Sequence, residues 1–337
     1  MRKRWKEWTA LLLALAVLLG TLTWLTAVVT PKQHDYGSVW GHFRKEQKDS
    51  LDVLFFGSSI VYCDVVPATY WDASGLTAFV HAGPEQTMSV TLEYVRESLK
   101  TQSPGAIFVE CSSLGFPKYT RHTKTNIGQM PWGLPRLRAT FTSAEPELVG
   151  GLLFPLIFYH DRWSYLIEDD FRPYGTDMMA GYTWLDRCVA GEEDLECEEM
   201  VIPPESWERN AAALEKIYTL CRREGIELVL FRAPVDYLSE ADWQKLCAAY
   251  EDREGVWLLN CLDHVPEIGA EIPTDFYDEL HYNGAGAENF SAFLAAWTLD
   301  NLSVAPRPQD GDNTALWQAR LEHYTGLLQT PMLPREK

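Results

Sequence analysis

The chain has 337 residues, 46% of them hydrophobic and 12% aromatic, enough for one large core or one core with a substantial insertion. That composition excludes disorder, collagen-like repeats and a small disulfide scaffold. The formal net charge is −19, and the body of the protein has no basic patch, which excludes a nucleic-acid binder dependent on displacing counterions from phosphates.

Residues 1–7 contain the basic run Arg2-Lys3-Arg4-Trp5-Lys6. Residues 8–30 follow without a charge for 23 positions. As a helix they would extend roughly 34 Å, enough for a hydrocarbon core of about 30 Å. The positive-inside rule places the N-terminus in the cytoplasm and everything after Pro31 outside. The expectation is a single-pass protein of the cell membrane, in contact with the bilayer through residues 8–30. A cleaved signal peptide is the rival reading, but its apolar core usually runs only about 7–15 residues before an A-x-A-like site. Leu25-Thr26-Ala27 fits such a site poorly.

Residues 31–50 are polar and read as a stalk. The first strand is Leu51–Phe56, ended by Gly57. A second is expected at Leu76–His81 and a helix over 86–100, where Met88, Leu92, Val95 and Leu99 form one stripe. Ala106–Glu110 is a third strand. The pattern resumes with a helix over 205–224, stopped by Gly225. A strand at Ile226–Phe231 follows, then a helix from about 240 capped by Ser239 with Asp242 three residues on. Val256–Asn260 is a fifth strand, and a last helix runs from about 285 to 301. This alternation predicts an α/β fold, a three-layer α/β/α doubly wound parallel sheet over residues 51–301. Residues 302–337 read as a tail with a short helix.

Residues 112–204 interrupt the alternation and read as a largely helical and loop insertion of the kind that covers or shapes a site. They hold an apolar run, Leu148–Tyr159, too short for a membrane span. Residues 192–199 are an acidic stretch in which six of eight are Glu or Asp. Nine aromatic residues fall between 151 and 184. The simplest account of those rings is the core of a small subdomain. The alternative is a sugar-binding face, with His160 and Arg162 near the site and Arg162 able to hold a phosphate or carboxylate. Seven cysteines (63, 111, 188, 197, 221, 247, 261) leave at least one unpaired or paired between chains. Cys188 and Cys197 flank an acidic loop and are open to a bridge or to two free thiols. No C-x-x-C pair is present.

Two features carry chemistry. Gly57-Ser58-Ser59 ends the first strand, at the sheet edge where ligands bind in open parallel sheets. Taken singly, such a turn is usually only a turn or a helix cap. Near the C-terminus stands Asp278-Glu-Leu-His281. Three-residue spacing makes the two side chains neighbours on one helical turn. A carboxylate on one imidazole nitrogen leaves the other as a base. A metal site of Asp275, Asp278 and His281 is conceivable, although the usual His or Cys companions are missing.

A serine after the first strand and Asp-x-x-His before the last helix together resemble the SGNH, or GDSL-like, superfamily of esterases and acyltransferases, over about residues 50–120 and 205–300. The resemblance implies a flavodoxin-like SGNH fold, Ser59 as nucleophile, His281 as general base and Asp278 as its orienter. The backbone N–H groups of Ser59 and Gly83 would form the oxyanion hole, with no cofactor and no metal. Ser58 replaces the aspartate of Gly-Asp-Ser. Where the family carries Gly-x-Asn-Asp, this chain has Glu110-Cys111-Ser112-Ser113, leaving the third oxyanion donor unassigned. Val61 excludes the Gly-x-Ser-x-Gly elbow of α/β-hydrolases.

Membrane-anchored members resembling this chain are accessory proteins of teichoic-acid D-alanylation and exopolysaccharide O-acetylation, which work beside a membrane-bound O-acyltransferase. The expectation is therefore a serine O-acyltransferase or esterase whose substrate is a cell-envelope glycopolymer or polysaccharide. A non-catalytic glycan-binding or scaffold protein of an acyl-transfer complex is the alternative. The sequence chooses neither the acyl group nor between transfer and hydrolysis.

Overall fold

A computed structural model describes residues 2–32, 39–189, 199–271, 273–308 and 310–334. The strands are β1 (Val53–Phe56), β2 (Ala78–Val80), β3 (Ala106–Glu110), β4 (Arg187–Cys188), β5 (Glu227–Arg232), β6 (Val256–Asn260) and β7 (Leu333–Pro334). Five of them form one parallel sheet in the order β2-β1-β3-β5-β6, and β4 pairs with β7 apart from it. Successive strand residues feed opposite faces, as the two-residue side-chain period requires. Leu54, Phe56, Ile107, Val109, Leu228 and Leu230 pack with helices Met88–Ser98, Pro204–Glu224 and Glu240–Tyr250. Val53, Phe55, Ala106, Phe108, Val229 and Phe231 pack with Pro67–Ser74 and Gly284–Asn301. Both faces are therefore covered, and the strands read as apolar runs rather than alternating, with polar residues only at their ends (Glu110, Glu227, Arg232 and Asn260).

The chain enters at β1, steps outward to β2, then returns past β1 to β3 and continues the other way. Right-handed crossovers send the helices to opposite faces once the direction reverses. The carboxyl ends of β1 and β3 therefore lie side by side with helices diverging from them, which opens a crevice at that edge.

Three expectations are corrected. The segment after residue 38 is no stalk: a helix at Val39–Phe43 buries Trp40 and Phe43 against Phe79, His81 and Tyr94. Residues 33–38 lie outside the described residues. The C-terminal segment is not a tail with a short helix but an 18-residue helix, Gly311–Leu328, with Trp317, Arg320 and Tyr324 buried. The two segments are joined by Arg320 and Glu46, an ion pair with side chains 0% and 1% exposed. The aromatic insertion is a core only in part: Tyr182 is buried and Phe158 and Trp184 pack against the core, whereas Phe154, Trp163, Tyr165 and Phe171 are each more than half exposed. Cys197 and most of the acidic stretch fall outside the described residues, and so does any pairing with Cys188.

Among the described residues, one helix, Arg4–Val29, is long and apolar enough to cross a membrane. Its last turn is not free: Val28 and Val29 are buried, and Arg162 Nη1 donates to the Val29 carbonyl at 2.7 Å.

Removing one partner of a buried ion pair leaves the other charge uncompensated. Arg320→Ala should lower unfolding stability by about 3–5 kcal/mol. Glu46→Gln combined with Arg320→Met should cost much less than the two single changes added. Denaturant melts of the four proteins test this, and additive losses would contradict the pairing.

Candidate active site

β1 delivers its chain into the crevice through Gly57. A Cβ there would sit 2.4 Å from Val61 Cγ2 and 2.7 Å from Glu110 Cβ, so the close approach of the β1 and β3 ends admits only glycine. Ser58 is extended (φ −93°, ψ −159°) and starts the helix Ser59–Asp64. Its hydroxyl does not cap that helix but donates to Glu110 Oε2 at 3.2 Å. Glu110 Oε1 also accepts the N–H of Ser112. One buried carboxyl thus ties the turn after β1 to the turn after β3.

Ser59 occupies the first position of its helix, where backbone N–H groups have no intrahelical acceptor. Its Oγ lies 2.9 Å from His281 Nε2, across 222 residues of chain. His281 Nδ1 lies 2.9 and 3.1 Å from the two Asp278 carboxylate oxygens. The structure thus brings Ser59, His281 and Asp278 into one hydrogen-bonded chain. Residues 278–281 are a turn rather than the helix expected from their spacing. Asp278 Oδ1 accepts the N–H groups of Leu280 and His281, both at 2.9 Å, an Asx-type turn that folds the loop back on itself.

Two further contacts fix this loop. Asp64, at the end of the helix begun by Ser59, accepts the Tyr282 N–H at 3.0 Å. Asn283 caps the helix Gly284–Asn301 through the N–H groups of Ala285 and Gly286, and its Nδ2 donates to the Thr274 carbonyl at 2.6 Å. Asp275 is turned to the Glu271 N–H (2.9 Å) and does not join Asp278 and His281 as a ligand set. Among the described residues, no group of three or more His, Cys, Asp or Glu side chains is placed to hold a metal.

The carboxyls around the site are held in different states. Burial would raise Asp278, but the hydrogen bond and charge of His281 and the N–H groups of Leu280 and His281 outweigh it and hold the carboxyl below its ordinary value. Asp64 is pushed well above its ordinary value by burial, opposed by the Tyr282 hydrogen bond and reinforced by the charges of Asp278 and Glu110. Burial also raises Glu110 against hydrogen bonds from Ser112 and Ser58, and Asp236 rises well above its ordinary value through burial and the neighbouring Glu110. Separating carboxyl states in this way keeps an anion beside the imidazole while its buried neighbours hold their protons more tightly.

Gly83 lies at the same edge, but its N–H points back to the Gly57 carbonyl at 3.4 Å, a long hydrogen bond. Asn126 stands directly behind it: a Cβ on Gly83 would sit 2.3 Å from Asn126 Oδ1, and Asn126 Nδ2 donates to the Pro84 carbonyl at 2.9 Å. This asparagine comes from the insertion helix Thr123–Gly128 rather than from the turn after β3. Its distance from the strand explains why no local pattern pointed to it. His160 and Arg162 are placed elsewhere. His160 is exposed with Nδ1 3.2 Å from the Ile157 carbonyl, and Arg162 is spent on Val29 and on Asp170 at 3.0 and 3.1 Å. None of the hydrogen bonds among the described residues joins either one to the triad, and Arg162 has no fork left for a ligand carboxylate. No protein-family model and no curated protein matches this chain.

Asp64 supplies a pH test. Its folded-state pKa is raised, so the native state holds this proton more tightly than the unfolded chain, whose value is near 3.9. Native stability from this group is therefore lost as pH rises from about 4 upward through the raised value. Asp64→Asn keeps the acceptor for the Tyr282 N–H without the ionisation, so its melting temperature relative to wild type should climb between pH 5 and pH 8. Asp64→Ala leaves a buried N–H without an acceptor and should cost about 1–3 kcal/mol at every pH. A difference between wild type and Asp64→Asn that does not change with pH would contradict the raised value.

Proposed function

We propose that the chain is a serine-dependent O-acyltransferase or esterase that forms an acyl-enzyme on Ser59 and acts on an extracytoplasmic glycopolymer or polysaccharide of the cell envelope. The observation that carries this reading is the 2.9 Å contact between Ser59 Oγ and His281 Nε2, with Asp278 on the opposite ring nitrogen. A hydroxyl held against an oriented imidazole is the arrangement that activates an otherwise weak nucleophile.

In this mechanism His281 Nε2 takes the Ser59 proton as Oγ bonds to the acyl carbonyl carbon. Asp278, kept anionic, stabilises the imidazolium that forms. The Ser59 N–H at the helix start donates to the developing oxyanion. Collapse breaks the bond to the leaving oxygen, which receives the proton from His281, and Ser59 carries the acyl group as an ester. Water or a sugar hydroxyl, deprotonated by the same imidazole, then attacks that ester and restores Ser59.

The apolar N-terminal helix supports attachment to the cell membrane, and the basic run before it favours a cytoplasmic N-terminus and an external catalytic domain. The bond between Arg162 and the Val29 carbonyl supports a retained anchor over a cleaved signal. A membrane-bound O-acyltransferase handing over the acyl group is the partner this reading calls for. The bond between the Gly83 N–H and Gly57 leaves few oxyanion donors, and that one observation favours the second reading, a non-catalytic glycan-binding or scaffold member of an acyl-transfer complex.

A fluorophosphonate probe on the detergent-solubilised full chain should label Ser59 and leave Ser59→Ala unlabelled. Hydrolysis of p-nitrophenyl acetate should fall by about a thousandfold or more in Ser59→Ala and His281→Gln, and substantially in Asp278→Asn. Equal labelling of wild type and Ser59→Ala would overturn the nucleophile. No labelling of either would favour the non-catalytic reading.

A further inference from the structure

The insertion exposes large apolar side chains in one short stretch: Phe154, Ile157, Trp163, Tyr165, Ile167 and Phe171 are each more than half exposed. Soluble surfaces rarely concentrate such residues, and a patch of this kind marks an interaction site. Its place in the fold identifies the partner. The two short helices of this stretch, Leu156–Tyr159 and Glu168–Phe171, pack against the N-terminal helix. Lys32 Nζ donates to the Asp170 carbonyl at 2.6 Å, Arg162 pairs with Asp170 at 3.0 Å, and Arg162 also holds the Val29 carbonyl. The stretch is therefore fastened to the end of that helix.

Depth follows from the helix rise. The uncharged residues begin at Trp8, and about 20 residues at about 1.5 Å each traverse a hydrocarbon core of about 30 Å. The far boundary then falls near Ala27, where the helix surface passes from exposed to buried at Val28 and Val29. Whatever packs on that turn sits at the level of the lipid headgroups. Trp and Tyr, apolar with one polar atom, suit that layer. Both arginines interleaved with them are paired, Arg172 with Asp169 at 3.2 Å and with Glu168, and Arg162 with Asp170, which lowers the cost of bringing these groups near lipid, although four carboxylates against two arginines leave the stretch acidic.

We infer that residues 154–171 form a second, monotopic contact with the membrane, seating their exposed apolar side chains in the interfacial layer of the leaflet on the domain's side. Helix and patch together hold the domain at two points, which fixes its height and tilt over the bilayer instead of leaving it on a swivel. The inference rests on the helix as a span and is independent of the chemistry at Ser59.

The test places the photo-crosslinking residue benzoylphenylalanine in turn at Ile157, Tyr165, Leu15 and Leu299 of the full chain, reconstituted in phosphatidylcholine vesicles. Leu15 is an exposed position of the N-terminal helix, and Leu299 is a half-exposed position of the helix Gly284–Asn301. After irradiation, mass spectrometry should find phosphatidylcholine adducts at 157 and 165 at the level of position 15, and none at 299. Adducts at 15 with none at 157 and 165 would overturn the inference. Crosslinks from 157 or 165 to a second copy of the chain would overturn it also, by showing a protein interface. Loss of the adduct at 15 would overturn the span and the inference together.

Discussion

Asp64 accepts the Tyr282 N–H across 218 residues of chain, and the meeting of Ser59 and His281 follows from that bond. Ser59 begins the short helix that Asp64 ends, and Tyr282 is the residue after His281. The hydrogen bond therefore locks the helix that Ser59 begins to the loop that carries His281, beside the point where the side chains touch. Both partners are buried, so water does not compete for them. Around this tie the other constraints converge. Gly57 allows β1 and β3 to close on each other, Glu110 holds the Ser58 hydroxyl, Asp278 curls its own turn, and Asn283 caps the helix that follows. Few of these groups touch a reacting atom, yet without them a serine and a histidine this far apart in sequence would have no fixed separation.

The architecture was largely legible in the sequence because apolar runs and turn residues encode a parallel sheet locally. β3 and β6 begin and end where the pattern placed them, and Ser239 caps its helix through the Asp242 N–H. The meeting of residues 59, 278 and 281 was legible too, since strand-end and pre-helix positions converge at one sheet edge. The local reason differed, because Asp278 and His281 are neighbours through an Asx turn and not through a helix. What the pattern missed is tertiary. Trp40 and Phe43 sit among polar residues that resemble a stalk, and only the cavity beside His81 and Tyr94 gives them a place. Arg320 reads as a surface charge until Glu46 arrives from 274 residues away. Asn126 reaches Gly83 from an irregular insertion with no spacing rule to announce it. The rings of the insertion divide: Phe158, Tyr182 and Trp184 pack against the core while Phe154, Trp163, Tyr165 and Phe171 stay exposed, and ring content alone does not say which.

The N-terminal helix and the site are linked through the same insertion. Thr123–Gly128 supplies Asn126 to the Gly83 loop, and Gln129, the residue after that helix, donates to the Pro31 carbonyl at the exit of the N-terminal helix. One continuous segment therefore connects the edge of the sheet that carries Ser59 to the end of the N-terminal helix. For a polymer substrate held at the envelope, such a strut would keep the serine at a constant distance from the lipid surface.

The contact between positions 59 and 281 can be measured without knowing the substrate. In Ser59→Cys, a thiol against the His281 imidazole ionises as a thiolate–imidazolium pair. Its alkylation by iodoacetamide, followed by mass spectrometry of the peptide containing residue 59, should then show a midpoint well below the ordinary cysteine value of about 8.5. Adding His281→Gln should return the midpoint to about 8.5. If Ser59→Cys alkylates with the same midpoint whether or not His281 is present, the two side chains do not meet and the account of the site fails.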